Sequence, residues 1–139
     1  MNRLKHITTF GVLLLLTACA SNPHERVFET SSAVELRSYQ SRAFDTADRH
    51  KTLRTIIAAL QDLGFVIDRA DATLGSITAT RLDNHELRVT ATVRPRGETQ
   101  TLVRVNATFG NEPLEDPLPY QEFYTVLEKA MFLTAHQVD

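Results

Sequence analysis

Apolar residues fall along this chain in three rhythms, and each rhythm predicts a different kind of segment. Ile7 to Leu16 is an almost unbroken apolar run behind Arg3 and Lys5. It is too short for a membrane-spanning helix, which takes about 20 apolar residues, and it has the length and charged flank of a secretory signal. Ala20 to Ala33 (ASNPHERVFETSSA) keeps no apolar period, and Pro23 among several Ser and Thr predicts a flexible tether. Val34 to Phe44 (VELRSYQSRAF) alternates loosely and predicts a first strand at a sheet edge.

Helical spacing takes over at Leu53, Ile56, Ile57, Leu60 and Leu63, a stripe that Arg49, Lys51, Arg54 and Asp62 avoid. Asp45 or Thr46 can cap its start, Asp48 suits the positive end of the helix dipole, and Gly64 can take positive φ at its end. Period-two alternation follows. Phe65–Asp68 opens a strand, Asp71–Gly75 has turn chemistry, and Ser76–Thr80 continues. Leu87, Val89, Ala91 and Val93 then alternate with Arg88, Thr90, Thr92 and Arg94, and Val103, Val105, Ala107 and Phe109 with Arg104, Asn106 and Thr108. The short break at Pro95-Arg96-Gly97 makes these two an antiparallel hairpin. Gly110–Pro119 reads as a Pro-rich acidic loop. Tyr120, Phe123, Tyr124, Leu127, Ala130, Met131 and Thr134 form the apolar face of a second helix, with Val126, Phe132 and Leu133 off that face. The expected fold is α+β: an antiparallel sheet of four or five strands with two helices on one face, in the order β-α-β-β-β-β-α.

The only cysteine, Cys19, ends the stretch Leu16-Thr17-Ala18-Cys19. Together with the run before it, this stretch resembles the lipobox of bacterial lipoproteins. The resemblance implies cleavage between Ala18 and Cys19, a signal peptide over 1–18, a tether over 19–33 and a single periplasmic domain over 34–139. It also implies a diacylglycerol and an N-acyl chain on Cys19, with no other cofactor. Each buried CH₂ contributes about 0.8 kcal/mol and stable anchoring takes about two chains, so the attachment to the bilayer would be permanent. Ala20 stands where enterobacterial inner-membrane lipoproteins typically carry Asp, which by that family rule directs the protein to the periplasmic face of the outer membrane rather than the inner membrane. With Cys19 blocked, no disulfide is available.

Removing 1–18 takes away Arg3 and Lys5 and no acid. The 15 Lys+Arg become 13 against 17 Asp+Glu, a net charge of about −4. That balance excludes sequence-independent nucleic-acid binding, which needs clustered cations, and a polybasic membrane patch.

Three patches are similar to a family of small proteobacterial outer-membrane lipoproteins: Gln40-Ser41-Arg42-Ala43-Phe44-Asp45-Thr46, Leu60-Gln61-Asp62-Leu63-Gly64-Phe65 through Gly75, and Tyr120-Gln121-Glu122-Phe123-Tyr124 to Leu133. The element order also resembles the helix-grip domains of BamC-type lipoproteins. Ala43 stands where Arg is usual in that family. The shared residues are caps, core positions and turns, so the resemblance implies a fold and no mechanism.

No GxSxG, HExxH, CxxC or phosphate loop occurs. Asp83-Asn84-His85-Glu86 gathers two carboxylates and an imidazole, but consecutive residues of an extended chain point to opposite faces, and a solvated hairpin loop accounts for them. His24 reads as solvated tether. Arg42, Arg81, Arg88, Arg94, Arg96 and Arg104 are candidates for one solvent face of the sheet, and Arg88, Arg94 and Arg104 mark an interaction face for an acidic partner surface or glycan. The expected function is a non-catalytic, membrane-anchored module that binds another envelope protein as an accessory of an assembly or secretion machine. The alternatives are a small-ligand or lipid-binding module, with a pocket lined by Leu60, Val89 and Tyr124, and a metal-dependent hydrolase at Asp83–Glu86.

Cys19→Ser keeps the apolar run but removes the thiol that must be alkylated. It should abolish labelling by a palmitate analogue and leave precursor in the inner membrane or a little aberrantly cleaved protein. Equal labelling of both proteins in fractionated cells would remove the basis for the anchor.

Overall fold

The computed structural model describes residues 33–82 and 85–136, the last four of these by their backbone only. The chain runs as helix α1 (33–40), strand β1 (Ser41–Phe44), helix α2 (Arg49–Asp62), strands β2 (Val66–Asp71), β3 (Ser76–Leu82), β4 (Glu86–Arg96), β5 (Gln100–Phe109) and β6 (Glu112–Pro113), and helix α3 (Pro117–His136). All strand pairs are antiparallel, in the order β1-β5-β4-β3-β2, with β6 also on β5. The fold is thus α+β, an open antiparallel sheet with helices packed against it. The count differs from expectation in two places. Val34–Phe44 was expected to be one strand, but 33–40 is helical and only Ser41–Phe44 pairs, as an edge strand. The loop expected over Gly110–Pro119 contains β6, which brings the sheet to six strands, and α3 begins three residues before Tyr120.

Helix α2 forms where its apolar spacing demands. Leu53, Ile56, Ala59 and Leu60 are buried, with Thr52 and Thr55 turned inward and donating to the carbonyls of Asp48 and Lys51. Asp48 is the N-cap, its Oδ1 accepting from Lys51 N at 2.8 Å. The two residues expected to cap are used otherwise: Thr46 Oγ1 accepts from Asp48 N, and Asp45 accepts from Gln100 Nε2. At the far end, Gly64 N donates to Gln61 O and Phe65 N to Leu60 O. Gly64 has φ +81°. This is the Schellman arrangement, which needs a residue tolerant of positive φ and folds the next apolar side chain back on the helix.

The odd-numbered residues of β3, β4 and β5 face the helices. Ile77, Ala79, Val89, Ala91, Val93, Val103, Val105 and Ala107 are buried, and their register places Ile77 opposite Ala91 and Ala91 opposite Val105. From α3, Tyr120, Phe123, Tyr124 and Leu127 close over them. Val126 packs partly buried at the core's margin, whereas Phe132 is exposed.

The β2–β3 turn is held from α2. Arg49 Nη2 donates to Ala72 O at 2.8 Å and Thr73 O at 2.7 Å. Gly75 sits beneath this clamp at φ +69°, where a Cβ would come within 2.6 Å of Val93 O and 2.7 Å of the Arg49 guanidinium. Only glycine fits there without displacing backbone.

The hydroxyl of Tyr124 lies 2.8 Å from Gln40 O and 3.0 Å from Val103 O. Burial pushes its phenol well above the ordinary value, outweighing the opposing pull of Arg42 and Arg104. The native state therefore holds the neutral phenol at a pH where the unfolded chain ionises, above about pH 10. Stability from this group is fully present below that pH and falls as pH rises above it. Tyr124→Phe should cost about 1–3 kcal/mol at neutral pH by removing the one donor that the Gln40 and Val103 carbonyls share. It should also flatten the alkaline limb of a stability–pH profile measured by chemical denaturation.

Candidate interaction face

The even-numbered residues of the same strands form the sheet's second face, which none of the three described helices buries. Register places Asp71, Ser76, Thr92, Arg104 and Ser41 in one row across five strands, and Arg69, Thr78, Thr90 and Asn106 in the next. Arg88, Arg94, Arg104 and Asn106 are exposed there, and the threonines between them are half-buried by their neighbours. Thr78, Thr80, Thr90, Thr92 and Thr108 make this surface rich in hydroxyls, a property the sequence reading passed over. Its signal was present: β-branched polar residues recur at alternate positions of β3 and in the middle of β4, at Thr78, Thr80, Thr90 and Thr92, which suits a flat, hydrated face.

The arginines on this face are not equivalent. Arg88 Nη2 pairs with Glu86 Oε1 at 2.5 Å, and Arg69 Nη2 with Asp71 Oδ2 at 3.5 Å. Leu74 N–H, bonded to Asp71 Oδ1 at 2.9 Å, holds that carboxyl below its usual range, with Arg69 adding to the effect. Arg104 Nε donates to Ser41 Oγ at 3.2 Å. Among the described residues, neither Arg94 nor Arg104 has a carboxylate partner. They are diagonal neighbours, since Thr92 opposes Arg104 and Arg94 opposes Leu102. The four side chains line a shallow cleft of about 110 Å³. Arg96, opposite Gln100, lies one row further along the same face.

Two of the six candidate arginines lie on the other side. Arg42 opposes core-facing Val103, stands 4.7 Å over the Tyr124 ring and pairs with Glu128 Oε1 at 2.6 Å. Arg81 continues the core-facing set two residues after Ala79. It lies 5.0 Å over the Phe65 ring and donates to Leu63 O at 3.0 Å, at the end of α2. Both are fixed to the helix-covered face by strand parity.

On that covered side, a hollow between the end of α2, the start of α3 and the sheet is lined by Leu60, Phe65, Arg81, Val89, Tyr120 and Phe123, among others. Its free volume is about 30 Å³, the space of a single water. Leu60 and Val89 border it as expected of a ligand pocket, but Tyr124 is packed elsewhere in the core.

Asp83 and Asn84 lie outside the described residues, as do Ala18 and Cys19, the signal peptide over 1–18 and nearly all of the tether over 19–33. The His85 ring lies tilted against that of Phe109, centroids 5.0 Å apart, and Glu86 is engaged with Arg88. No three His, Cys, Asp or Glu among the described residues stand together as metal ligands, and no described helix is long and apolar enough to cross a membrane. No protein-family model matches this chain, and no relative is found among curated proteins.

Proposed function

We propose that this chain is a lipoprotein anchored at the periplasmic face of the outer membrane through Cys19, whose folded domain is a non-catalytic module that binds another envelope protein. The lipobox-like stretch supports the anchor. One observation carries the binding role: an antiparallel sheet sealed by helices on one side presents a broad, polar, hydroxyl- and arginine-bearing face on the other. A surface of that kind suits a hydrated interface, in which polar groups fix the register of a partner and water fills the gaps. The small hollow under α3 gives a ligand-binding reading little support, since it has room for about one water.

A photoreactive side chain introduced at Asn106, exposed on this face, tests the reading in intact cells. The same group at Arg54, on the solvent side of α2, serves as the comparison. The expected result is one reproducible protein adduct from position 106 and none of that mass from position 54. Adducts that are absent, or the same from both positions, would reject the module as drawn.

A further inference from the structure

We infer that the cleft between Arg94 and Arg104 is a carboxylate site, built to receive an acidic side chain from a polypeptide segment of the partner. The inference rests on the protein-binding reading above and adds the chemistry of what is bound.

Charge is the first argument. The chain carries more acids than bases, 17 against 15, and three of its sheet arginines are matched by them: Arg88 by Glu86, Arg69 by Asp71 and, on the covered side, Arg42 by Glu128. Only at this corner do two guanidinium groups stand as diagonal neighbours, with no carboxylate among the described residues between them. Diagonal cross-strand positions lie about 7–8 Å apart, within reach of long side chains, so the two cations repel unless an anion is shared. A carboxylate has two oxygens and about four acceptor positions, enough for both forks at once.

Shape is the second argument. Thr92 and Leu102 form the rest of the cleft. The aliphatic stem of a glutamate can lie on Leu102, with the Thr92 hydroxyl beside the head group. Arg96, one row away, offers a further cation to a segment carrying more than one acid.

An anionic bilayer fits the face less well. Recognition of that kind uses clusters of about 4–8 Lys or Arg, whereas this face also carries Asp71 and Glu86, and Asp68 bonded to Thr80 Oγ1. A flat anionic surface would meet those carboxylates together with the arginines. A narrow acidic segment laid over the corner avoids them.

The test uses the purified full-length protein, a glutamate-rich peptide, its glutamine-substituted twin and vesicles containing anionic phospholipid. The glutamate peptide should shift the amide resonances of Thr92, Leu102 and Arg104 saturably, and the twin should not. Arg94→Gln/Arg104→Gln should weaken the glutamate peptide by about tenfold or more, whereas Arg54→Gln should leave it unchanged. Thermal melts of each variant establish that the fold is retained. The inference is overturned if both peptides bind alike, if neither binds, if the double variant binds as wild type does, or if vesicles shift these amides where the peptide does not. Should the adduct at Asn106 persist while the double variant leaves peptide binding intact, only the carboxylate site falls and the protein-binding reading stands.

Discussion

Two phenol hydroxyls determine how the sheet ends. β5 is paired by β4 along its whole length on one edge, but on the other β1 covers only Thr101–Arg104 and β6 only Thr108–Phe109. The tyrosines of α3 serve the backbone in this gap and at the end of β1 beside it. Tyr120 Oη donates to Leu114 O at 2.7 Å and accepts from Ala107 N at 3.3 Å, while Tyr124 Oη reaches Gln40 O and Val103 O. Both rings are buried in the core. A phenylalanine in either place would bury the same apolar ring and strand polar backbone groups, at a cost of about 1–3 kcal/mol for each group left unmet. One helix therefore packs the face, closes the edge and ties down the α1–β1 junction and the β6–α3 connection.

That closure gives the two faces of the sheet different work. With α2 and α3 committed to the odd-numbered face, the even-numbered residues of β3, β4 and β5 are free to be chosen for solvent or for a partner. The arginines follow the same division. Those on the covered side stack on Phe65 and Tyr124 and contribute packing more than charge, since an ion pair as exposed as Arg42–Glu128 is worth about 0–1 kcal/mol. On the open side Arg69 and Arg88 are paired with acids, whereas Arg94 and Arg104 have no carboxylate to meet their charge among the described residues.

Much of this was legible in the chain. The α2 stripe, the Gly64 termination, the β4–β5 hairpin and the aromatic face of α3 follow from periodicity and turn chemistry alone. Residues 33–40 did not, because Val34 and Leu36 alternate as a strand would while Leu36 and Tyr39 keep a helical spacing, and four residues of β1 are too few to set a period. β6 is two residues long and exists only through its pairing with Thr108 and Phe109, a tertiary contact with no local signature. The cap moved to Asp48 because Asp45 and Thr46 found partners near the start of β5 and in the capping turn. The placement of Arg81 was readable in principle: it lies two residues beyond Ala79, so alternation assigns it to the covered side. On the open face, Arg88, Arg94 and Arg104 could be found from alternation, but their inequality could not, since it depends on which acids the register brings alongside.

Native-state hydrogen exchange on Tyr124→Phe, compared with wild type, tests the edge-closing role of α3 most directly. The account predicts that protection falls first and furthest at the amides of 33–40 and Ser41–Phe44, while the Ile77–Ala91 and Ala79–Val89 region of the β3–β4 ladder keeps its relative protection. Equal loss across both regions, or a β1 as protected as in wild type, would contradict the claim that the Tyr124 hydroxyl holds the edge of this sheet.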